Sequence, residues 1–166
     1  MKLKTLYRRH AFFWVNHLYA GMSNYEHKRK LLNRAGFSIG KGTRIVGPFY
    51  SSAELTIGKN CWIGKNFCGN GNGTIEIGNN CDIGPEVIFQ TGDHMIGEVN
   101  QRAGQGVKRT QKVGNGTWIG GRTTVIGDTT IGNGCVIAGC SCVIHDVPDN
   151  TLAAGVPAEK KKNLTP

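Results

Sequence analysis

Apolar residues recur every six positions between Val113 and Pro148, where the chain reads VGNGTW IGGRTT VIGDTT IGNGCV IAGCSC VIHDVP. Each block opens on an aliphatic residue: Val113, Ile119, Val125, Ile131, Ile137 and Val143. The fifth place is small or β-branched (Thr117, Thr123, Thr129, Cys135, Ser141, Val147), and the second is mostly Gly or Ala. A period of six is neither the 3.6 of a helix nor the alternation of a strand. It predicts a parallel β-helix of hexapeptide repeats, three blocks to a triangular turn, each aliphatic residue stacked on its counterparts in the turns above and below. Burying such a side chain contributes ~1.5–3 kcal/mol, so about four or five turns make a sufficient core. Parallel crossovers are right-handed in nearly all folds, a rule that on its own predicts a right-handed coil.

Upstream, repeat character begins at Ile39 and Ile45 and firms at IGKNCW IGKNFC (57–68). GNGNGT (69–74) is a Gly/Asn-rich turn that shifts the count by two. The period resumes at IGNNCD IGPEVI (77–88). Residues 95–112 carry none of it and read as a loop extruded from the coil, of a length that is usually functional. Ile77 and Val113 are 36 residues apart, which predicts two coils with the register kept. Residues 2–35 predict two helices broken at Ala20–Gly21–Met22. The first has an apolar face at Leu3, Leu6, Tyr7, His10, Phe13, Trp14 and His17 or Leu18. Ser23 and Glu26 suit a capping box for the second, Asn24 to Arg34, which Gly36 ends. The chain thus divides into a helical segment (1–36), a β-helix body (37–152) and a tail (153–166).

Composition sharpens this in three places. The 25 glycines, about twice the usual ~7%, sit in the repeat blocks and signal turns rather than disorder. The formal charge of +9 belongs to the N-terminal segment: residues 1–44 hold ten Lys and Arg against Glu26 alone, and the remainder is balanced. That basic first helix either packs its apolar side on the coil or on a neighbouring subunit, or rests peripherally on an anionic membrane surface. No base-reading motif accompanies it, which argues against nucleic acid. Cys61, Cys81 and Cys135 take small interior places, and no CxxC pair exists. The six cysteines therefore read as free thiols of a reducing cytoplasm. AFFWV is far short of the ~20 apolar residues that span a bilayer.

Four stretches carry a resemblance. TGDH (91–94) stands before a loop, WIGGRTTVIGDTTIGNGCVIAGCSCVIHDVP follows (118–148), AAGVPAEK closes the body (153–160), and IGKNFCGNGN (63–72) precedes the TGDH coil. Together they resemble the hexapeptide-repeat acyltransferases, in the sugar O-acetyltransferase branch that includes galactoside and maltose acetyltransferases. The resemblance implies a left-handed β-helix, an exception to the crossover rule. It also implies a homotrimer with its sites between subunits, acetyl-CoA as co-substrate without a metal, and direct transfer to a hydroxyl of a sugar or polysaccharide precursor. An amino-sugar N-acetyltransferase, a γ-class carbonic anhydrase-like enzyme and a non-catalytic β-helix subunit are the alternatives. The second needs three histidines on zinc, and the coil body holds only His94 and His145.

Attack by a hydroxyl needs a base, and histidine titrates near neutrality. His94, at the mouth of the 95–112 loop, occupies the place of the family's catalytic base. Asp93 beside it could orient the ring, although neighbours along a strand point to opposite faces. By resemblance, the N–H of Gly121 would hold the oxyanion and Trp118 would line the cleft. The pantetheine arm would follow Gly139 and Ile144–His145, and Lys162, with Lys160 and Lys161, would meet the coenzyme phosphates. Asn70 and Asn72 would bind the acceptor, or else serve as turn residues that tolerate left-handed geometry. His145 stands where many relatives carry Lys. The N-terminal segment of the maltose and galactoside enzymes and the His-rich turn of serine acetyltransferases are both missing.

Overall fold

The computed structural model describes residues 2–165, with side chains from Thr5 onward; the side chain of Leu3 lies outside them. Short strands stack on three faces of a solenoid. The first face holds Ser38–Ile39, Glu54–Ile57, Thr74–Ile77, Thr110–Val113 and Thr129–Ile131. The second holds Arg44–Ile45, Trp62–Ile63, Asp82–Ile83, Trp118–Ile119, Val136–Ile137 and Thr151–Ala154. The third holds Phe49–Ser51, Phe67–Asn70, Ile88–Gln90, Thr124–Ile126 and Cys142–Val143. Within each face the strands pair in parallel, as in Ile57 beside Ile77 and Ile119 beside Ile137. The protein is a mainly β solenoid of about six turns. That is more than predicted, because the weakly patterned blocks from Ile39 to Ser51 close a full turn of their own.

The interior follows the six-residue pattern. Ile57, Ile77, Val113 and Ile131 line one wall, Ile63, Ile83, Ile119 and Ile137 a second, and Phe49, Phe67, Phe89, Val125 and Val143 the third, all buried. Phe49 and Phe67 stack at 5.2 Å with their planes 9° apart. The fifth-place residues Thr117, Thr123, Thr129, Cys135, Ser141 and Val147 are buried as the pattern requires. All six cysteines are free thiols.

One repeat count changes. Ile77 pairs directly with Val113 and Ile83 with Ile119, so 36 residues make one turn, not two. The surplus leaves the coil between Thr91 and Arg109. It is extruded, as predicted, but it is ordered: Gly92–Ile96 and Ala103–Lys108 form an antiparallel hairpin, and Thr110–Val113 already belongs to the first face. The tail is ordered too. Glu159–Asn163 turns back as an antiparallel strand on Thr151–Ala154.

The N-terminal segment caps the coil. Helix α1 (Lys2–Phe13) continues into a π-helical turn, Trp14–Leu18, and helix α2 (Tyr25–Arg34) follows the break. The packed face of α1 is the opposite of the predicted one. Ala11 and Val15 are buried and Phe12 is partly buried against Phe37 and Phe49. Arg8 lies 4.6 Å over the Phe37 ring and donates to the Ser52 carbonyl. Leu6, Tyr7, Phe13 and Leu18 are exposed. Periodicity locates an apolar stripe but not what it faces, and here a second stripe, Arg8–Ala11–Phe12–Val15, meets the core. The predicted capping box is also absent. Asn24 holds the cap position at φ 52° without a side-chain bond to the helix backbone, and Glu26 pairs with Arg29 at 2.7 Å. Gly36 does end α2, at φ 89°.

Candidate active site

Sequence and turn chemistry place His94 where the coil is interrupted. At the corner between the third and first faces, Thr91 N–H donates to the Asn70 carbonyl, and Arg109 N–H donates to Thr91 when the chain returns. Gly71, at φ 98°, comes so close to Gly92 that any side chain there would collide with its backbone. The hairpin therefore departs at a fixed angle, with His94 on its first strand opposite Gly106. A groove of about 450 Å³ runs beneath it, lined by Asn72, Gly92, Asp93, His94, Gly106 and Val107.

The His94 ring is held by the other strand. Its Nδ1 lies 2.8 Å from the Gly104 carbonyl oxygen. A carbonyl can only accept, so Nδ1 carries the proton and the Nε2 lone pair of the neutral ring is free for chemistry. Asp93 has a different task from the one weighed above. It accepts the His94 backbone N–H at 2.8 Å, and its other oxygen pairs with Arg109 at 2.9 Å. Arg109 also reaches Asp128 at 3.1 Å, and Asp128 accepts Thr110 N–H at 2.7 Å. These backbone N–H bonds and the Arg109 guanidinium hold both carboxyls below their ordinary pKa. The clamp closes the hairpin base. Inside the coil at the same level, the buried Gln111 amide donates to the carbonyls of Gln90, Val125 and Gly127. Gly104, Arg109, Asp128 and Gln111 were not singled out from sequence. The only sequence signal for the clamp is that acidic and basic residues, Asp93, Lys108 and Arg109, stand near the two ends of the non-repeating stretch.

The remaining predicted residues fall into two groups. Asn70 pairs in register with Gln90, Gln90 with Ile126, and Ile144 lies one turn beyond Ile126. Asn70, Asn72, Ile144 and His145 therefore share the His94 edge of the third face. Trp118 belongs to the second face, in one outward row with Val136, Leu152 and Lys162. Gly121 and Gly139 follow at the opposite edge of the third face, where Cys140 N–H donates to the Gly121 carbonyl. Gly120 and Arg122 donate to the Ile137 and Pro85 carbonyls, whereas the Gly121 N–H has no protein acceptor among the described residues. Gly139 and Ile144–His145 thus lie on opposite edges, separated by ~15 Å of strand at ~3.3 Å per residue. A single edge of one chain does not carry both.

No family model matches the chain. It is 32% identical to the galactoside O-acetyltransferase of Escherichia coli (strain K12) over 141 residues, which make up 81% of this chain and 68% of the relative. The chain belongs to the hexapeptide-repeat sugar O-acetyltransferase family. A putative acetyltransferase of Staphylococcus aureus (strain Mu50 / ATCC 700699) is 35% identical over 92% of this acetyltransferase and 76% of its own length. A hexapeptide-repeat acetyltransferase from Vibrio cholerae, solved with acetyl coenzyme A, matches 99% of the chain and 89% of its own, with a TM-score of 0.82 at 27% identity. The chain is thereby an acyltransferase. Among the described residues of this acetyltransferase, no group of three or more His, Cys, Asp or Glu is placed to hold a metal ion, and no helix is long and apolar enough to cross a membrane.

Proposed function

We propose that this acetyltransferase moves the acetyl group of acetyl-CoA directly to a hydroxyl of a sugar or polysaccharide precursor, with His94 as general base. The observation that carries the proposal is the Nδ1–Gly104 contact, which fixes the tautomer and leaves Nε2 open to the groove. Nε2 takes the acceptor proton as the hydroxyl oxygen attacks the thioester carbon. The unpaired Gly121 N–H receives the oxyanion. Collapse breaks the carbon–sulfur bond, and the imidazolium returns its proton to the departing thiolate. The products are free CoA and an acetyl ester. Asn70 and Asn72 would hold the acceptor beside His94. Trp118, Val136, Leu152 and Lys162 span three strand spacings of ~4.8 Å, enough for an extended coenzyme arm from the thioester to its phosphates.

His94 and Gly121 occupy different edges of one chain, so a complete site calls for two copies, edge to edge. We assign a cyclic homotrimer, a closed symmetry in which every such edge meets its complement. The outward side of the third face supports this arrangement: Tyr50, Cys68, Ile88, Thr124, Ile126 and Cys142 are uncharged. For the exposed ridge Leu6–Tyr7–Phe13–Leu18, we propose an anionic bilayer surface as the occupant, since the flanking segment is almost wholly cationic.

Two experiments test these assignments. His94→Ala should lower turnover by about 10²–10⁴-fold with acetyl-CoA affinity nearly intact; an unchanged rate refutes the base. Full-length protein should co-sediment with phosphatidylserine-containing vesicles, and the Leu6→Glu/Phe13→Glu variant should not. Equal pelleting of the two removes the bilayer, and a drop in sedimentation coefficient in the variant would assign the ridge to self-association instead.

A further inference from the structure

The outward row of the second face continues beyond Trp118 in the direction away from Lys162. Arg44 pairs in register with Trp62, Trp62 with Asp82, and Asp82 with Trp118. Their neighbours Ile45, Ile63, Ile83 and Ile119 are fully buried, so strand alternation turns all four side chains outward. Two tryptophans thus flank a carboxylate on an open sheet, about 9–10 Å apart at two strand spacings. Tyr25 adds an aromatic wall, its ring 6.0 Å from Trp62. Past Trp62 a groove of about 300 Å³ opens, lined by Gly42, Arg44, Asn60, Cys61 and Trp62. The side chains of Arg44, Trp62, Asp82 and Trp118 point away from the core of the coil, which lies on the opposite side of the strand. Asp82 has no cationic partner within 4 Å among the described residues, and its neighbours raise its pKa through burial. A carboxylate in that setting gains from hydroxyl donors.

We propose that Arg44, Trp62, Asp82 and Trp118 form a track for a neutral oligosaccharide, so that the acceptor extends over several rings on the N-terminal side of the transfer point while the coenzyme takes the C-terminal side. The inference rests on the reading of Trp118 as part of a sugar acetylation site. The chemistry of the row carries it. The axial C–H face of a pyranose is apolar and weakly positive and stacks on an indole face. The interval between the two indoles is one that two linked rings fill. Asp82, midway, accepts the hydroxyls that project from the sugar edge, and Arg44 donates to those of the next ring. A few oriented polar groups among aromatic walls are the usual composition of a small-molecule subsite. An anionic chain is disfavoured by Asp82, and a nucleic acid more so.

Binding to glucose, maltose, maltotriose and maltohexaose, and to a β-1,4-galacto-oligosaccharide series, can be followed by tryptophan fluorescence on the full-length protein. In at least one series affinity should rise by about tenfold from one ring to three. Trp62→Ala should lose that rise, Asp82→Asn should weaken it, and Trp62→Phe should keep much of it. Thermal unfolding of each variant separates a lost site from a lost fold. Affinity that is flat with ring number in both series, or a rise that survives Trp62→Ala, overturns the track. Release of CoA thiol with the same sugars is read in parallel. Transfer without length dependence leaves the acetylation reading standing and removes the track; length-dependent binding without transfer does the reverse.

Discussion

At the scale of single residues, the Gly104 carbonyl selects which nitrogen of His94 keeps its proton, so a residue with no side chain governs the proposed base. A methyl group at Gly104 would lie 2.9 Å from the Met95 carbonyl and 3.1 Å from Gly97, forcing the two hairpin strands apart. Gly104→Ala should therefore lower kcat by about 10–10² while the KM for acetyl-CoA stays put; a coupled change in both would point to general loosening instead. Asp93 and Asp128 give a pH dependence. Both carboxyls are held below their ordinary value, mainly by backbone N–H bonds and by Arg109. A depressed folded-state pKa stabilises above the unfolded carboxylate range of about 4. The contribution is lost as pH falls through the lowered value. Protection of the His94 and Thr110 amides, taken relative to intrinsic exchange at each pH, should fall in acid below that range, and Asp93→Asn should lower the His94 protection already at neutral pH. His94 was legible in the sequence because the coil body offers few histidines and one stands at the break in the period. Gly104, Arg109 and Asp128 were not, because their partnership with His94 and Asp93 is created by hairpin pairing across ten or more residues.

At the scale of elements, the corners of the coil are as ordered as its walls. Lys59 N–H donates to the Asn79 side chain, Asn79 N–H to Asn115, Asn115 N–H to Asn133 and Asn133 N–H to Asp149, each at 2.7–2.8 Å. This ladder ties consecutive turns where no strand pairing reaches. A typical hydrogen bond contributes about 1 kcal/mol net, and removing Asn115 takes away one acceptor and its amide contacts. Asn115→Ala should lower unfolding free energy by about 1 kcal/mol in urea melts with an unchanged m-value; a silent substitution would assign the ladder to geometry rather than stability. The asparagines stood in plain view in the IGNN and VGNG blocks. The six-residue count, however, reports only which positions face inward, and corner residues face out. The same limit explains the hairpin. The hairpin carries glycines at 92, 97, 104 and 106, and these erase the alternation by which a strand is read. It explains α1 as well, where two apolar stripes compete and only tertiary packing chooses between them.

At the scale of the whole molecule, the placement of His94 and Gly121 on opposite edges of the third face makes a strong demand of any assembly. If each site takes its base from one copy and its oxyanion donor from the next, two inactive variants should rescue one another. Gly121→Pro removes the N–H; Pro85 holds the corresponding corner position one turn earlier, and a Cβ at Gly121 would lie 3.0–3.2 Å from it. His94→Ala removes the base. Co-expressed in equal amounts, the two variants associate at random, and about three quarters of cyclic trimers contain both. Each mixed trimer then has one interface where an intact His94 meets an intact Gly121. Activity should recover to about a quarter of the wild-type value per site, from two preparations that are each nearly inactive. Sedimentation velocity should show a trimer in all three samples, which establishes that Gly121→Pro assembles. Trimers without recovered activity would place the whole site within one chain, and would require the hairpin to fold back across the third face toward its own Gly121.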